Sequence, residues 1–201
     1  MLIFWKKNLT LLSVPKTGTT ALEAALKPHA DIIFSAPPEL KHLPLYRYNR
    51  FMEKMFDAAL GKTPETVAVI REPISWLGSW YRYRQRDELA GNPNSTKGIS
   101  FDDFVQEYLK GKPEPFAIVG SQSKFLSGQT DQQQVDHLFR YEDMNSVIQF
   151  FQDRLGSAID LPWLNRSTNQ DLVLSKGVEN RLRKKKAEDF ALYEKAGSKN
   201  F

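Results

Sequence analysis

The chain has 201 residues, of which 41% are hydrophobic and 26% charged, and its formal net charge is +4. This composition is typical of a globular protein with a proper core, and no apolar run approaches the length of a membrane span. Cysteine is absent, which excludes disulfides, thiolate nucleophiles and thiolate metal sites. The three histidines are scattered, so we expect no metal site. Lack of cysteine fits the cytoplasm, where we expect the protein.

Apolar strands alternate with helices along the chain. Leu9–Val14 is apolar on both faces, as a central parallel strand should be, and Thr66–Arg71 and Val135–Tyr141 are further core strands. The first helix is predicted over Thr19–Leu26, with Pro28 ending it. The other predicted elements are an edge strand or arm at Met1–Lys7, a short strand at Asp31–Phe34, helices at Leu45–Leu60, Ile74–Glu88, Phe101–Lys110, Ser121–Leu126 and Glu142–Leu155, a loop at Asp160–Asp171 and a long terminal helix at Leu174–Ala196.

This order predicts one α/β domain over residues 1–201. We expect three α/β/α layers around a central, mostly parallel, doubly wound sheet, as in P-loop nucleotide-binding proteins. Its site should lie at the carboxyl ends of the strands. Two local expectations accompany this fold. Ser100 and Asp103 form a capping box, and Phe51, Met55, Phe56 and Leu60 share one face of the Leu45–Leu60 helix.

The turn between the first core strand and the first helix is polar and carries a lysine. A strand, a tight turn and a helix in that order form an anion-binding site, because the helix start presents unpaired N–H groups and a partial positive charge. The turn adds one full charge and three hydroxyl groups, and it therefore suits a phosphate or sulfate. Its residues are Lys16, Thr17, Gly18, Thr19 and Thr20.

The same turn departs from the Walker loop, G-x-x-x-x-G-K-[ST]. When the two are aligned on Gly18, Thr19 stands at the Walker lysine position and the lysine is found at Lys16. The second core strand ends in Arg71 and not in an aspartate that could hold Mg²⁺. The pattern indicates P-loop architecture without the chemistry of magnesium-bound nucleotide triphosphates.

Arg71 is expected to face the same crevice as the turn. Its guanidinium can bind an oxyanion through a fork of donors, and Ser79, eight residues later, can add a hydroxyl. For Arg71 taken alone, a structural ion pair with Glu72 is the alternative. Basic residues also cluster at Arg181–Lys186, where a solvated helix face and an attraction for anionic ligands both remain open.

The motifs PKTGTT (15–20) and R-E-P-x-x-x-x-x-S-x-Y (71–81) together resemble the sulfotransferase superfamily. The resemblance is closest to its carbohydrate-type and bacterial members, which use 3′-phosphoadenosine 5′-phosphosulfate (PAPS) as sulfuryl donor. Weaker similarities follow in order and extend the resemblance over nearly the whole chain. They are the strand end Phe139–Met144, the loop from Leu161 to Ser167, and a closing helix with Asp189 and Tyr193.

The resemblance implies a PAPS-dependent transferase that releases adenosine 3′,5′-bisphosphate (PAP) and needs no metal. It implies that Arg71 and Ser79 hold the 3′-phosphate and that Tyr141 approaches the adenine. Lys16 is also expected to be catalytic, by stabilising charge on the sulfuryl and bridging oxygens. The 5′-phosphosulfate would be held by Lys16, Thr17, Gly18, Thr19 and Thr20.

The acceptor hydroxyl needs a base. Related enzymes place a His or Glu after the second strand, so the resemblance implies His42 as base, with Glu39 as the alternative. The acceptor is expected to be a carbohydrate or another small molecule, and neither nucleic acid nor membrane is an expected partner. The aromatic residues of the helix after Arg71 either stack on sugar rings or belong to the helix core and surface. They are Trp76, Trp80, Tyr81 and Tyr83.

Two other functions remain open. An NTP-dependent kinase or other P-loop phosphotransferase would bind ATP with Mg²⁺. A non-catalytic module that binds anions or nucleic acid through the basic C-terminal helix would show steep salt dependence and would not need Lys16.

Overall fold

The structure is a computed structural model, and it describes residues 1–130, 133–161 and 172–197. Its strands are β1 (Leu2–Phe4), β2 (Leu9–Leu12), β3 (Ile32–Ile33), β4 (Glu65–Ile70) and β5 (His137–Arg140). Its helices are α1 (Thr19–Leu26), α2 (Pro38–Lys41), α3 (Leu45–Arg47), a π-helical segment (Tyr48–Glu53), α4 (Lys54–Leu60), α5 (Pro73–Arg84), α6 (Phe101–Tyr108), α7 (Gln122–Leu126), α8 (Met144–Leu155), α9 (Lys176–Lys185) and α10 (Ala187–Lys195).

The five strands form one mixed sheet in the order β3-β1-β2-β4-β5. β2, β4 and β5 are parallel, with Leu12 opposite Ala68 and Val69 opposite Phe139. The predicted α/β class and the mostly parallel centre are confirmed. β1 is antiparallel to both of its neighbours, so the prediction of an edge strand at Met1–Lys7 is wrong. Only a short turn joins β1 to β2, and a parallel pair would need a long crossover.

Helices cover both faces of this sheet, because neighbouring side chains of a strand point to opposite faces. Val67 and Val69 of β4 belong to a core with α1 and α8. Ala68 and Ile70 of the same strand belong to a second core, which includes Phe56 and parts of α7 and α10. A third apolar cluster joins α5, α6 and α9 beside the sheet.

The first helix spans Thr19–Leu26 as predicted, and Pro28 lies in the 3₁₀ turn that follows it. The N-cap half of the predicted capping box is confirmed, because the Ser100 hydroxyl accepts from the Asp103 N–H at the start of α6. The Asp103 carboxylate accepts from that hydroxyl and not from the Ser100 N–H, so the box is not complete. In the described ranges, no helix is long and apolar enough to cross a lipid bilayer.

The predicted helix at Leu45–Leu60 is interrupted by the π-helical segment, and its predicted apolar face is wrong. Phe56 is buried, whereas Phe51, Met55 and Leu60 are 55%, 49% and 55% exposed. In a regular helix, the residue seven positions after Tyr48 would face the sheet as Tyr48 does. A π segment adds one residue to a turn, so the residue eight positions after Tyr48 takes this place instead. Tyr48 and Phe56 therefore face the sheet, and Met55 does not.

The predicted terminal helix Leu174–Ala196 is two helices, because Lys186 leaves helical geometry with φ −121° and ψ 32°. Val178 and Leu182 of α9 pack with α5 and α6, whereas Leu192 of α10 packs on the sheet. The break lets α10 reach the sheet through Leu192, while its Phe190 still packs with α9 in the third cluster. Most of the predicted loop Asp160–Asp171, and with it the family-like stretch 162–167, lies outside the described residues.

The π segment predicts unequal costs for two phenylalanine truncations. Phe56→Ala should lower the free energy of unfolding by about 3–5 kcal/mol, because it empties a buried site. Phe51→Ala, five residues earlier and exposed, is the matched control and should change it by less than about 0.5 kcal/mol. Urea unfolding measures both, and similar costs for the two variants would contradict the burial of Phe56 and the exposure of Phe51.

Candidate anion-binding site

The predicted site residues meet where three parallel strands end. β2, β4 and β5 are neighbours and run in the same direction, so their carboxyl ends lie side by side. The turn with Lys16 follows β2, Arg71 follows β4 and Tyr141 follows β5. The structure thus brings together the two motifs that the sequence separates by about fifty residues.

The turn after β2 has a fixed shape. Lys16 and Gly18 adopt left-handed conformations, with φ of 69° and 77°. The Thr17 hydroxyl is fully buried and donates to the Val14 carbonyl at 2.9 Å. The indole N–H of Trp76 donates to the Pro15 carbonyl at 2.9 Å. The Thr17 side chain therefore closes the turn, and its backbone N–H is what it can offer to a ligand.

The turn presents several unused donors. Within the ranges that the structure describes, no group accepts a hydrogen bond from the backbone N–H of Lys16, Thr17 or Gly18. Thr19 and Thr20 form the first turn of α1, where N–H groups have no partner inside the helix. Successive free N–H groups and a helix start make a concave site for an oxyanion.

Tyr141 contacts both this turn and Arg71. A Cβ atom on Gly18 would stand 3.0 Å from Cε2 of Tyr141, so only glycine fits this close approach at positive φ. The Tyr141 ring centre also lies 4.5 Å from the Arg71 guanidinium carbon. The ring therefore links the turn to the arginine.

Arg71 is held by polar groups and not by a carboxylate. The backbone N–H of Arg71 donates to the Gln122 side-chain amide at 2.8 Å, and the backbone carbonyl of Arg71 accepts from the same amide at 2.7 Å. Its Nε donates to the Ser75 hydroxyl at 2.8 Å. Glu72, the alternative partner, accepts instead from the Ser75 N–H and caps α5. Among the described residues, no ion pair involves Arg71, so its charge is available to a ligand.

Ser79 is half-buried on α5, one turn after Ser75. Residues four apart share a helix face, so Ser79 continues the row that begins at Arg71 and Ser75. This is the placement that the R-E-P-x-x-x-x-x-S spacing predicts. The neighbouring Trp76 and Tyr81 are buried in the helical cluster, and they cannot stack on a bound sugar.

The Lys16 side chain extends along α5 and lies over aromatic rings. Its Nζ is 4.2 Å from the ring centre of Tyr83 and 5.6 Å from that of Trp80. Burial, and next the charges of Arg86, Arg71 and Arg82, together lower the pKa of Lys16 from 10.5 to about 8. In the described part of the chain, no carboxylate forms an ion pair with Lys16. Three arginines thus add positive charge around Lys16, which favours anionic ligands in this region.

His42 lies beside the same turn. Its Nδ1 is 2.7 Å from the Ser13 carbonyl, and a carbonyl can only accept, so Nδ1 carries the proton. The neutral ring then has a free lone pair on Nε2. Burial, and next the charge of Lys41, hold the pKa of His42 below its usual 6.5. Glu39, the alternative base, is exposed in the first turn of α2.

Residues from the weaker family-like stretches support the site. Glu142, just after β5, accepts from the Glu72 N–H and from the Tyr193 hydroxyl, both at 3.1 Å. Asp189 is buried on α10 and accepts from the Ser123 N–H at 2.7 Å, next to Gln122. These contacts tie α10 to the two segments that hold Arg71.

Sequence reasoning missed several of these residues. Gln122 gave no signal, because it is 51 residues away from the backbone that it binds. Ser75 was recognisable as the residue four positions after Arg71, inside a predicted helix. Arg86 follows the end of α5, and nothing local indicates that it, or Tyr83 on that helix, lies near Lys16.

No protein-family model matches the chain. A search of curated proteins also finds no relative. The contacts described above are therefore the basis on which a function can be assigned.

The lowered pKa of Lys16 predicts pH-dependent anion binding. Sulfate does not titrate near pH 8, so its affinity should fall between pH 7 and 9 as Lys16 loses its proton. At pH 8, binding should also take up a proton, because a bound anion raises the Lys16 pKa again. Calorimetry in two buffers of different ionisation enthalpy measures this uptake. Lys16→Met should abolish it, and equal uptake in that variant would exclude Lys16 as its source.

Proposed function

We propose that the protein is a PAPS-dependent sulfotransferase with a P-loop-like fold, acting on a hydroxyl of a carbohydrate or another small molecule. One observation carries the proposal. The open turn with Lys16 and Arg71, which forms no ion pair among the described residues, both contact the ring of Tyr141 at neighbouring strand ends. They supply two separate anion positions, which a nucleotide with a phosphate at each end of its ribose would occupy.

In this proposal the turn holds the 5′-phosphosulfate through backbone N–H groups, the Lys16 ammonium and the hydroxyls of Thr19 and Thr20. Arg71 and Ser79 hold the 3′-phosphate, with the Arg71 backbone fixed by Gln122. The Tyr141 ring contacts Arg71 and the Gly18 backbone, where it can contact the nucleoside. Charge-assisted hydrogen bonds to both ends would supply most of the affinity.

The reaction would be an in-line displacement at sulfur. The acceptor oxygen forms a bond to sulfur, while the bond between sulfur and the 5′-phosphate oxygen breaks and PAP leaves. By analogy with phosphoryl transfer, catalysis is then mainly positioning and charge stabilisation. Lys16 and the turn N–H groups face the charge that develops on the departing phosphate.

His42 is the proposed general base. Its free Nε2 would take the proton of the acceptor hydroxyl while Nδ1 stays bound to the Ser13 carbonyl. Because Ser13 lies three residues before Lys16, this bond holds the base beside the anion-binding turn. The lowered pKa of His42 keeps the ring neutral at pH 7, as a base requires.

The 3′-phosphate assignment predicts a nucleotide-dependent effect of Arg71. Arg71→Ala should weaken PAP binding by about 10- to 100-fold, since a charge-assisted contact is lost. The same variant should bind adenosine 5′-phosphate almost as the wild type does, because that nucleotide lacks the 3′-phosphate. Calorimetry with both nucleotides tests this, and a similar loss for the two would place Arg71 elsewhere. ATP with and without Mg²⁺ in the same series tests the kinase alternative.

The two perturbed groups also predict the pH dependence of transfer. The ratio kcat/KM reports the free enzyme. The ratio should rise as the pH passes through the pKa of His42, which lies below 6.5, because the ring then loses its proton. It should then fall above about pH 8 as Lys16 becomes neutral.

Two variants test which residue causes the rising limb and which the falling limb of this pH profile. His42→Gln should remove the rising limb and lower kcat more than it lowers donor affinity. Lys16→Ala should lower kcat by about 10²–10³-fold, the usual loss when a preorganised charge stabiliser is removed. Full activity of His42→Gln with an intact rising limb would move the base to another residue.

A further inference from the structure

Arg86 carries a positive charge that neither of the two anion positions proposed for the nucleotide uses. It is exposed and follows the end of α5. If the proposed function holds, on which this inference rests, we propose that Arg86 and Tyr83 form an acceptor subsite for an acidic group. The acceptor would then be a hydroxyl compound that already carries a carboxylate or a sulfate ester.

The geometry places Arg86 beside the reacting end of the site. The Tyr83 ring is 38% exposed, with Lys16 Nζ at 4.2 Å and Arg86 Cζ at 4.9 Å from its centre. Since both distances are to the same ring centre, the two cationic groups are at most about 9 Å apart. An acidic group on Arg86 would therefore bring a nearby hydroxyl of the same molecule close to Lys16.

The acidic neighbour in sequence does not neutralise Arg86. Asp87, the next residue, pairs with Lys97 instead. Across the residues that the structure describes, Arg86 forms no ion pair with a carboxylate. Arg86 and Lys16 thus repel each other over an exposed aromatic ring, and an anion between them would relieve that repulsion.

The subsite is distinct from the 3′-phosphate position. Ser75, which binds the Arg71 guanidinium, and Tyr83 lie eight residues apart on α5, so about 12 Å separates them along the helix. One phosphate held by Arg71 cannot reach Arg86 as well. The guanidinium fork is suited to either a carboxylate or a sulfate ester.

The test is the binding of an acidic oligosaccharide to the protein with and without saturating PAP, measured by calorimetry. The probes are tetragalacturonate and its methyl ester, which has the same sugars without the charge. Arg86→Gln should weaken tetragalacturonate binding by about 10-fold and leave ester binding unchanged. Arg50→Gln is the matched control, because Arg50 is also exposed over an aromatic ring, at 5.2 Å from Phe51, and is not among the charges that act on Lys16.

Several outcomes would overturn the inference. Equal wild-type affinity for the acid and its ester, or an equal loss in the Arg50→Gln control, would show that Arg86 does not select for charge. Weaker PAP binding by Arg86→Gln would assign the residue to the nucleotide. If the wild type failed to bind PAP at all, the proposed function would fail, and the titration without PAP would still show whether the subsite exists. A sulfated galacto-oligosaccharide, used in the same way, distinguishes the two acidic groups.

Discussion

The parallel pairing of β2 with β4 is the contact on which the site depends. It places Leu12 opposite Ala68, so the chain leaves both strands at the same edge of the sheet. The anion-binding turn then begins beside Arg71, although the two are far apart in sequence. α5 returns across this edge, and the hydrogen bond from Trp76 to Pro15 fixes the helix to the turn. The spacing of the two anion positions is therefore a property of the sheet and its first crossover.

Aromatic rings, and not carboxylates, accompany the cations of this site. Tyr141 lies against Arg71, and Tyr83 lies against both Lys16 and Arg86. A ring face attracts a cation, but it forms no competing ion pair that an incoming anion would have to displace. Burial, and next the crowding of like charges, lower the Lys16 pKa, and binding of an anion would raise it again. This arrangement holds the positive charges in position and leaves them available to an anionic ligand.

Local patterns predicted much of this molecule, and contacts distant in sequence account for the rest. The first helix, the N-cap at Ser100 and the turn between β2 and α1 depend on neighbouring residues, and the sequence indicated each of them. The direction of β1 depends on which strand it pairs with, and the π segment depends on how Tyr48 and Phe56 meet the sheet. The bond between His42 and Ser13 joins residues 29 positions apart, so no spacing rule could indicate it.

The side chain of Gln122 acts toward Arg71 as a single residue of a neighbouring strand would. Its amide donates to the Arg71 carbonyl and accepts from the Arg71 N–H, which is how two backbones pair in a sheet. A real strand would continue past this point and cover the end of β4. A side-chain amide can form only this one pair of hydrogen bonds and cannot continue along the strand. The Gln122 amide thus satisfies the backbone hydrogen-bonding groups at the end of β4, while the space beyond Arg71 stays open for a bound molecule.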